Sequence, residues 1–118
     1  MEGKKLFGKC PYYTSQKILT GKWALYIMFQ LREHKIIRFN ELQRLMPDDM
    51  THTTLSRQLK SLEESGLIIR KEYSQIPPKV EYSLSEIGSE FDGVLNALGD
   101  WGDKYNQFLQ NGQKNKIV

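Results

Sequence analysis

With 118 residues, 39% of them hydrophobic, the chain is expected to form one domain over residues 1–118 and to fold without covalent staples. One cysteine, Cys10, excludes an internal disulfide and any multi-cysteine metal site; with no secretory signal and no apolar run near the roughly 20 residues of a membrane span, a cytoplasmic protein without a membrane partner is expected. Charge is unevenly spread, 14 Lys/Arg against 8 Asp/Glu in residues 1–79 but one against 6 in residues 80–113, and a basic first part suits a polyanion such as DNA.

Residues 1–9 and 110–118 read as loose ends. A short helical turn is expected from Thr14 to Leu19, stopped at Gly21. In Lys22–Glu33, Trp23, Ile27 and Leu31 fall four apart and Ala24, Met28 and Phe29 widen the stripe. A helix apolar nearly all round belongs at the centre of a core or between subunits. Ile36–Arg38 is long enough only for an edge strand. Phe39, Leu42, Leu45 and Met46 then return to helical spacing, and Pro47-Asp48-Asp49 ends that helix.

The next segment is the most informative. Thr51 can cap a helix over about 51–65 whose apolar positions are Leu55, Leu59 and Leu62, with Gly66 as its left-handed terminator. Opposite the leucines lie Thr53, Arg57, Lys60 and Glu64. Two strand-like runs follow, Leu67–Tyr73 and Val80–Leu84, separated by Ser74–Lys79, whose two prolines cannot donate to a ladder. The hairpin carries Arg70, Lys71 and Lys79.

Ser85 can cap a final helix over 85–109 with an apolar seam of Ile87, Phe91, Leu95, Leu98, Trp101 and Tyr105. Gly88, Gly93, Gly99 and Gly102 each cost about 1 kcal/mol against alanine inside a helix, so this one needs packing to persist. A chain this small cannot easily cover so long a seam, and a second subunit is expected to do so.

The layout is mainly α with a small β-hairpin (α+β), that of a winged helix-turn-helix with a long C-terminal dimerisation helix. It suits DNA because the major groove admits one α-helix, here packed inward by its leucines and exposing the Thr53/Arg57 side.

The chain resembles the HxlR-type branch of the MarR-like transcriptional regulators. The resemblance lies in Cys10-Pro11, Gly21-Lys22-Trp23, Arg38-Phe39-Asn40-Glu41-Leu42, Leu55…Leu59…Leu62-Glu63…Gly66-Leu67-Ile68…Arg70…Tyr73, Pro77-Pro78-Lys79-Val80-Glu81-Tyr82-Ser83-Leu84 and Leu98…Trp101. It departs in two places. Thr20-Gly21 stands where a double glycine is usual, and Pro47-Asp48-Asp49-Met50-Thr51 is one residue longer than the usual turn before the recognition helix.

The resemblance implies a homodimeric, sequence-specific regulator of double-stranded DNA, repression being the commoner outcome in relatives. It implies a near-palindromic operator, a recognition helix at about 51–65, a wing at about 67–84 and a dimer contact at about 85–109. Base contacts are then expected from His52, Thr53, Thr54 and Arg57, arginine being the commonest reader of guanine. Lys60, Arg70, Lys71 and Lys79, with Arg38, are expected at phosphates, where they position without reading.

Cys10 is the candidate sensor thiol. Lys4, Lys5 and Lys9 lie nearby and favour thiolate, and some relatives are attacked by oxidants or electrophiles at the Cys-Pro position. The bland alternative is an inert thiol. Catalysis would need His34 or His52 beside Cys10, metal binding would draw on the same three residues, and no phosphate loop is present; no enzyme activity, cofactor or metal is expected. Two other readings compete: a winged-helix protein-interaction module, and a regulator induced by a small ligand in an aromatic-lined dimer cleft.

Overall fold

Proline, not the apolar spacing, decides where the first helix begins. In the computed structural model, which describes residues 5–112, α1 runs over Pro11–Ile18, three residues ahead of the expected start, because Pro11 occupies its first turn. Proline there has its φ preset and loses no needed donor. Of the loose ends, residues 1–4 (with Lys4) and 113–118 lie outside the described residues. The remaining elements are α2 (Ala24–His34), β1 (Ile37–Arg38), α3 (Phe39–Leu45), α4 (His52–Glu64), β2 (Ile68–Tyr73), β3 (Lys79–Leu84), α5 (Glu86–Ser89) and α6 (Asp92–Gln110).

The core forms where three apolar stripes meet. Ile27, Met28 and Leu31 of α2, Leu42 of α3, and Leu55, Leu59 and Leu62 of α4 are all fully buried. Truncating any one of these leucines to alanine removes about 2–5 kcal/mol, the transfer and cavity terms together. Met46 and Met50 are buried beside them, so the lengthened turn between α3 and α4 is anchored by methionine.

Three antiparallel strands in the order β1-β3-β2 close the far side. Arg38 stands opposite Glu81 on β3, and Tyr73 opposite Lys79. Lys79 therefore belongs to the ladder, not to the loop where the sequence placed it. Gly66 ends α4 with φ +83°, as a left-handed terminator should.

The single C-terminal helix expected over 85–109 is corrected to two pieces, with a break at Glu90 and Phe91. Its cause is local. Ser85 caps α5 by accepting from the Gly88 N–H at 3.1 Å, and its hydroxyl donates to the Gly66 carbonyl at 2.6 Å. Gly88 is buried so closely against Leu67 that a Cβ would collide with the Leu67 carbonyl. The short helix is thus pinned to the base of the hairpin, while α6 packs against α2. There the Arg32 guanidinium donates to the Asp92 carboxylate at 3.0 Å and to the Asn96 side chain at 2.8 Å.

Candidate nucleic-acid interface

α4 is presented by its ends and its buried face. Thr51 Oγ1 accepts from the Thr54 backbone N–H at 3.1 Å and lies 3.0 Å from the Thr54 hydroxyl. A cap of this kind contributes about 0.5–2 kcal/mol. Four expected base contacts are therefore held differently. Thr53 and Arg57 are exposed, and neither side chain has a hydrogen bond or ion pair among the described residues. Thr54 is half-buried, with its hydroxyl engaged in the cap. The His52 ring lies 4.3 Å from that of Phe39, steadied by α3.

The wing is electrostatically more self-contained than its count of basic residues suggests. Arg70 pairs with Glu72 at 3.1 Å and Lys79 with Glu81 at 3.3 Å. The Arg70 pKa is raised further, first by its hydrogen bond to Tyr82 and then by Glu72. Glu81 is held below the ordinary carboxylate range, first by the Tyr73 hydroxyl, then by Lys79 and Arg38. Lys71 and Lys79 both stand over the Tyr73 ring, at 4.9 and 4.6 Å. Among the described residues, no carboxylate is hydrogen-bonded to the exposed Lys71 or Arg38 side chain, and Lys60 meets Glu64 loosely at 3.8 Å.

The expected dimer seam divides in two. Ile87 (61%), Leu98 (40%), Trp101 (63%) and Tyr105 (44%) are exposed, whereas Leu95 is 6% exposed and joins the protomer's own core, with the half-buried Phe91 packed against it. Leu95 is thus corrected from seam to core, because Arg32 draws the first turns of α6 onto α2. Trp101 stacks on Tyr105 with centroids 5.5 Å apart, and Tyr105 meets Phe108 at 5.3 Å. The radius of gyration is 17.1 Å, against roughly 13–14 Å for a compact chain of this length, which fits a helix that extends away from its own body. Beside it, Leu25, Tyr26, Phe29, Arg32 and Leu98 line an open groove of about 630 Å³ between α2 and α6.

Cys10 is half-buried at the N-cap of α1 and makes no side-chain cap bond there. Lys5 and Lys9 are exposed. No group of three or more His, Cys, Asp or Glu among the described residues is arranged to hold a metal ion, and no described helix is long and apolar enough to cross a membrane. Sequence reasoning missed Tyr73 as the centre of the wing's charges, Arg32 as the tie to α6, and Gln58, which reaches back to Thr20 and Trp23. Only Gln58 left a trace in the sequence, as a polar residue on the flank of the leucine face.

A short helix, a turn and a second helix whose outer face is polar, followed by an antiparallel hairpin, define a winged helix-turn-helix DNA-binding fold. The family described as HxlR-like helix-turn-helix matches residues 18–110, and the chain belongs to it. It is 43% identical over 99 residues to the HTH-type transcriptional regulator YdeP of Bacillus subtilis, covering 84% of this chain and 76% of that one. The structure of the HTH-type transcriptional regulator YtcD superposes with a TM-score of 0.75 at 40% identity, over 82% of this chain and 97% of that chain. The redox regulator HypR in its reduced form gives 0.77 at 33% identity, over 86% and 98%. The chain is an HTH-type transcriptional regulator, from a family of regulators and not of enzymes.

Proposed function

We propose that the chain is a homodimeric repressor that reads a near-palindromic operator and is released by thiol-reactive or oxidising signals at Cys10. The observation that carries the DNA reading is the outer face of α4, where Thr53 and Arg57 are exposed and uncommitted between a capped end and a buried leucine row. Arg38 and Lys71, both exposed on the sheet, add cationic charge suited to phosphates. The exposed Ile87, Leu98, Trp101 and Tyr105 supply the surface that a second copy covers, and two-fold pairing would set the recognition helices about 34 Å apart.

The signal rests on Cys10. HypR, a redox regulator, is similar to this chain in both its reduced and oxidised forms, the latter at 35% identity and a TM-score of 0.73. With one cysteine per chain, oxidation joins two Cys10 thiols across the dimer, two electrons and two protons passing to the oxidant, or else gives a mixed disulfide with a small thiol. A ligand in the α2–α6 groove is the second reading, favoured by the aromatic walls of Tyr26 and Phe29.

The test is an electrophoretic shift with the DNA flanking the chain's own gene, with and without diamide. Retardation by reduced protein supports the DNA reading, and its loss on treatment supports the thiol signal. No retardation at micromolar protein overturns the first. Retardation that diamide leaves unchanged turns attention from the thiol to the groove.

A further inference from the structure

One side chain of α4 holds the turn between α1 and α2. Gln58 Oε1 accepts from the Trp23 backbone N–H at 3.0 Å, and Gln58 Nε2 donates to the Thr20 carbonyl at 3.5 Å. Gly21 lies between these two contacts. Its φ is +92°, and a Cβ there would overlap the Gln58 amide. Glycine is thus demanded twice, by backbone conformation and by the close approach of the glutamine. α1 itself contributes no fully buried residue; Ile18, Leu19 and Trp23 pack against the core from this turn, and the polar clasp adds a directional tie to α4.

From this geometry we propose that Gln58 is a positioning residue for DNA reading, fixing the rotation of α4 about its own axis. The inference rests on the DNA-binding reading above. The leucine row gives α4 its depth in the core, but the hydrophobic driving force is itself non-directional. A two-bond amide clasp is directional. Successive helix residues are about 100° apart, so Gln58 sits on the flank and Arg57 a further step round, facing away from the leucines. A turn of roughly 10° moves an arginine head group by ~1.5 Å, enough to spoil a bidentate contact. The clasp also joins α4 to the chain that follows Cys10, giving any movement of α1 a direct route to Arg57.

The experiment uses the full chain and two duplexes of equal length, one enriched from a random-sequence pool by the wild-type protein and one scrambled. Gln58→Met keeps the side chain's length and removes both hydrogen bonds. It should retain the wild-type circular dichroism and affinity for the scrambled duplex, lose roughly tenfold on the enriched duplex, comparable to one mismatched base pair, and speed hydrogen exchange at the Trp23 amide. Gln58→Ala removes both hydrogen bonds without adding charge and carries the same comparison if Gln58→Met does not fold. Equal losses on both duplexes would reduce Gln58 to a structural role, and full retention of the preference with a freed Trp23 amide would overturn the proposal. A wild-type protein that enriches no duplex overturns the DNA reading and the positioning role together, which distinguishes the two failures.

Discussion

Tyr73 and Glu81 meet diagonally across the wing, the phenolic hydroxyl donating to the carboxylate at 2.8 Å while Lys71 and Lys79 stand over the ring. The hydroxyl, Lys79 and Arg38 all favour the charged carboxylate and lower its pKa. A carboxylate with a depressed folded-state pKa contributes stability above its unfolded pKa and loses it as pH falls through the folded value. Glu81→Gln should therefore lower the thermal midpoint near pH 7, and the gap from wild type should close as pH falls below the ordinary glutamate value of 4.5 and through the lowered folded value. A gap that stays constant with pH would mean that the charge of Glu81 contributes nothing.

Reading and positioning should separate by residue. Arg57→Ala is expected to cost about 1–3 kcal/mol on a preferred site and to relax base choice at one position per half-site. Lys71→Ala should weaken binding to all sequences alike and flatten the salt dependence by about one counterion. Lys79→Ala should do less, since Lys79 is already paired with Glu81. Titrations of each variant at two salt concentrations decide the matter, and identical behaviour of Arg57→Ala and Lys71→Ala would mean that the reading surface lies elsewhere.

The exposed aromatic ladder of α6 gives the assembly test. Trp101→Glu places a charge where Trp101 is 63% exposed in the protomer, so it should spare the fold and disrupt the pairing of copies. Sedimentation at micromolar concentration should show a dimer for the wild type and a monomer for the variant. A wild-type monomer would remove the basis for a palindromic operator.

At Cys10 the expected result is loss of operator binding on diamide treatment, recovery with a thiol reductant, and no response in Cys10→Ser. A coupling of about 1–3 kcal/mol corresponds to about 5–150-fold in affinity. Diamide sensitivity in Cys10→Ser, or full modification without a change in affinity, would leave the thiol incidental.

What the sequence made legible was periodic or covalently special. Leu55, Leu59 and Leu62 marked α4 at once, Gly66 marked its end, and the prolines at 77 and 78 marked the hairpin loop, because each rule acts over a few residues. The long-range ties were not visible. Gln58 meets Trp23 across 35 positions, and Arg32 meets Asp92 across 60. The break at Glu90 was hidden for the same reason, since it depends on how Gly88 sits against Leu67 and not on any local stop signal. The ion pairs of the wing were hidden because Glu72 and Glu81, two positions from Arg70 and Lys79, meet them only when the strands form.

The contact between Gly88 and Leu67 makes α6 a lever whose fulcrum is the base of the wing. The helix is 19 residues long, or about 28 Å, so a tilt of roughly 2° at its root displaces its far end by ~1 Å. In a two-fold assembly both arms tilt together and the error doubles across the axis. On the proposed dimer, the distance between the two recognition helices would then depend on how closely α5 sits on the Leu67 carbonyl. Operator pitch would be written into the elbow at Glu90 and Phe91, and base choice into α4, so the two properties could diverge separately among related regulators.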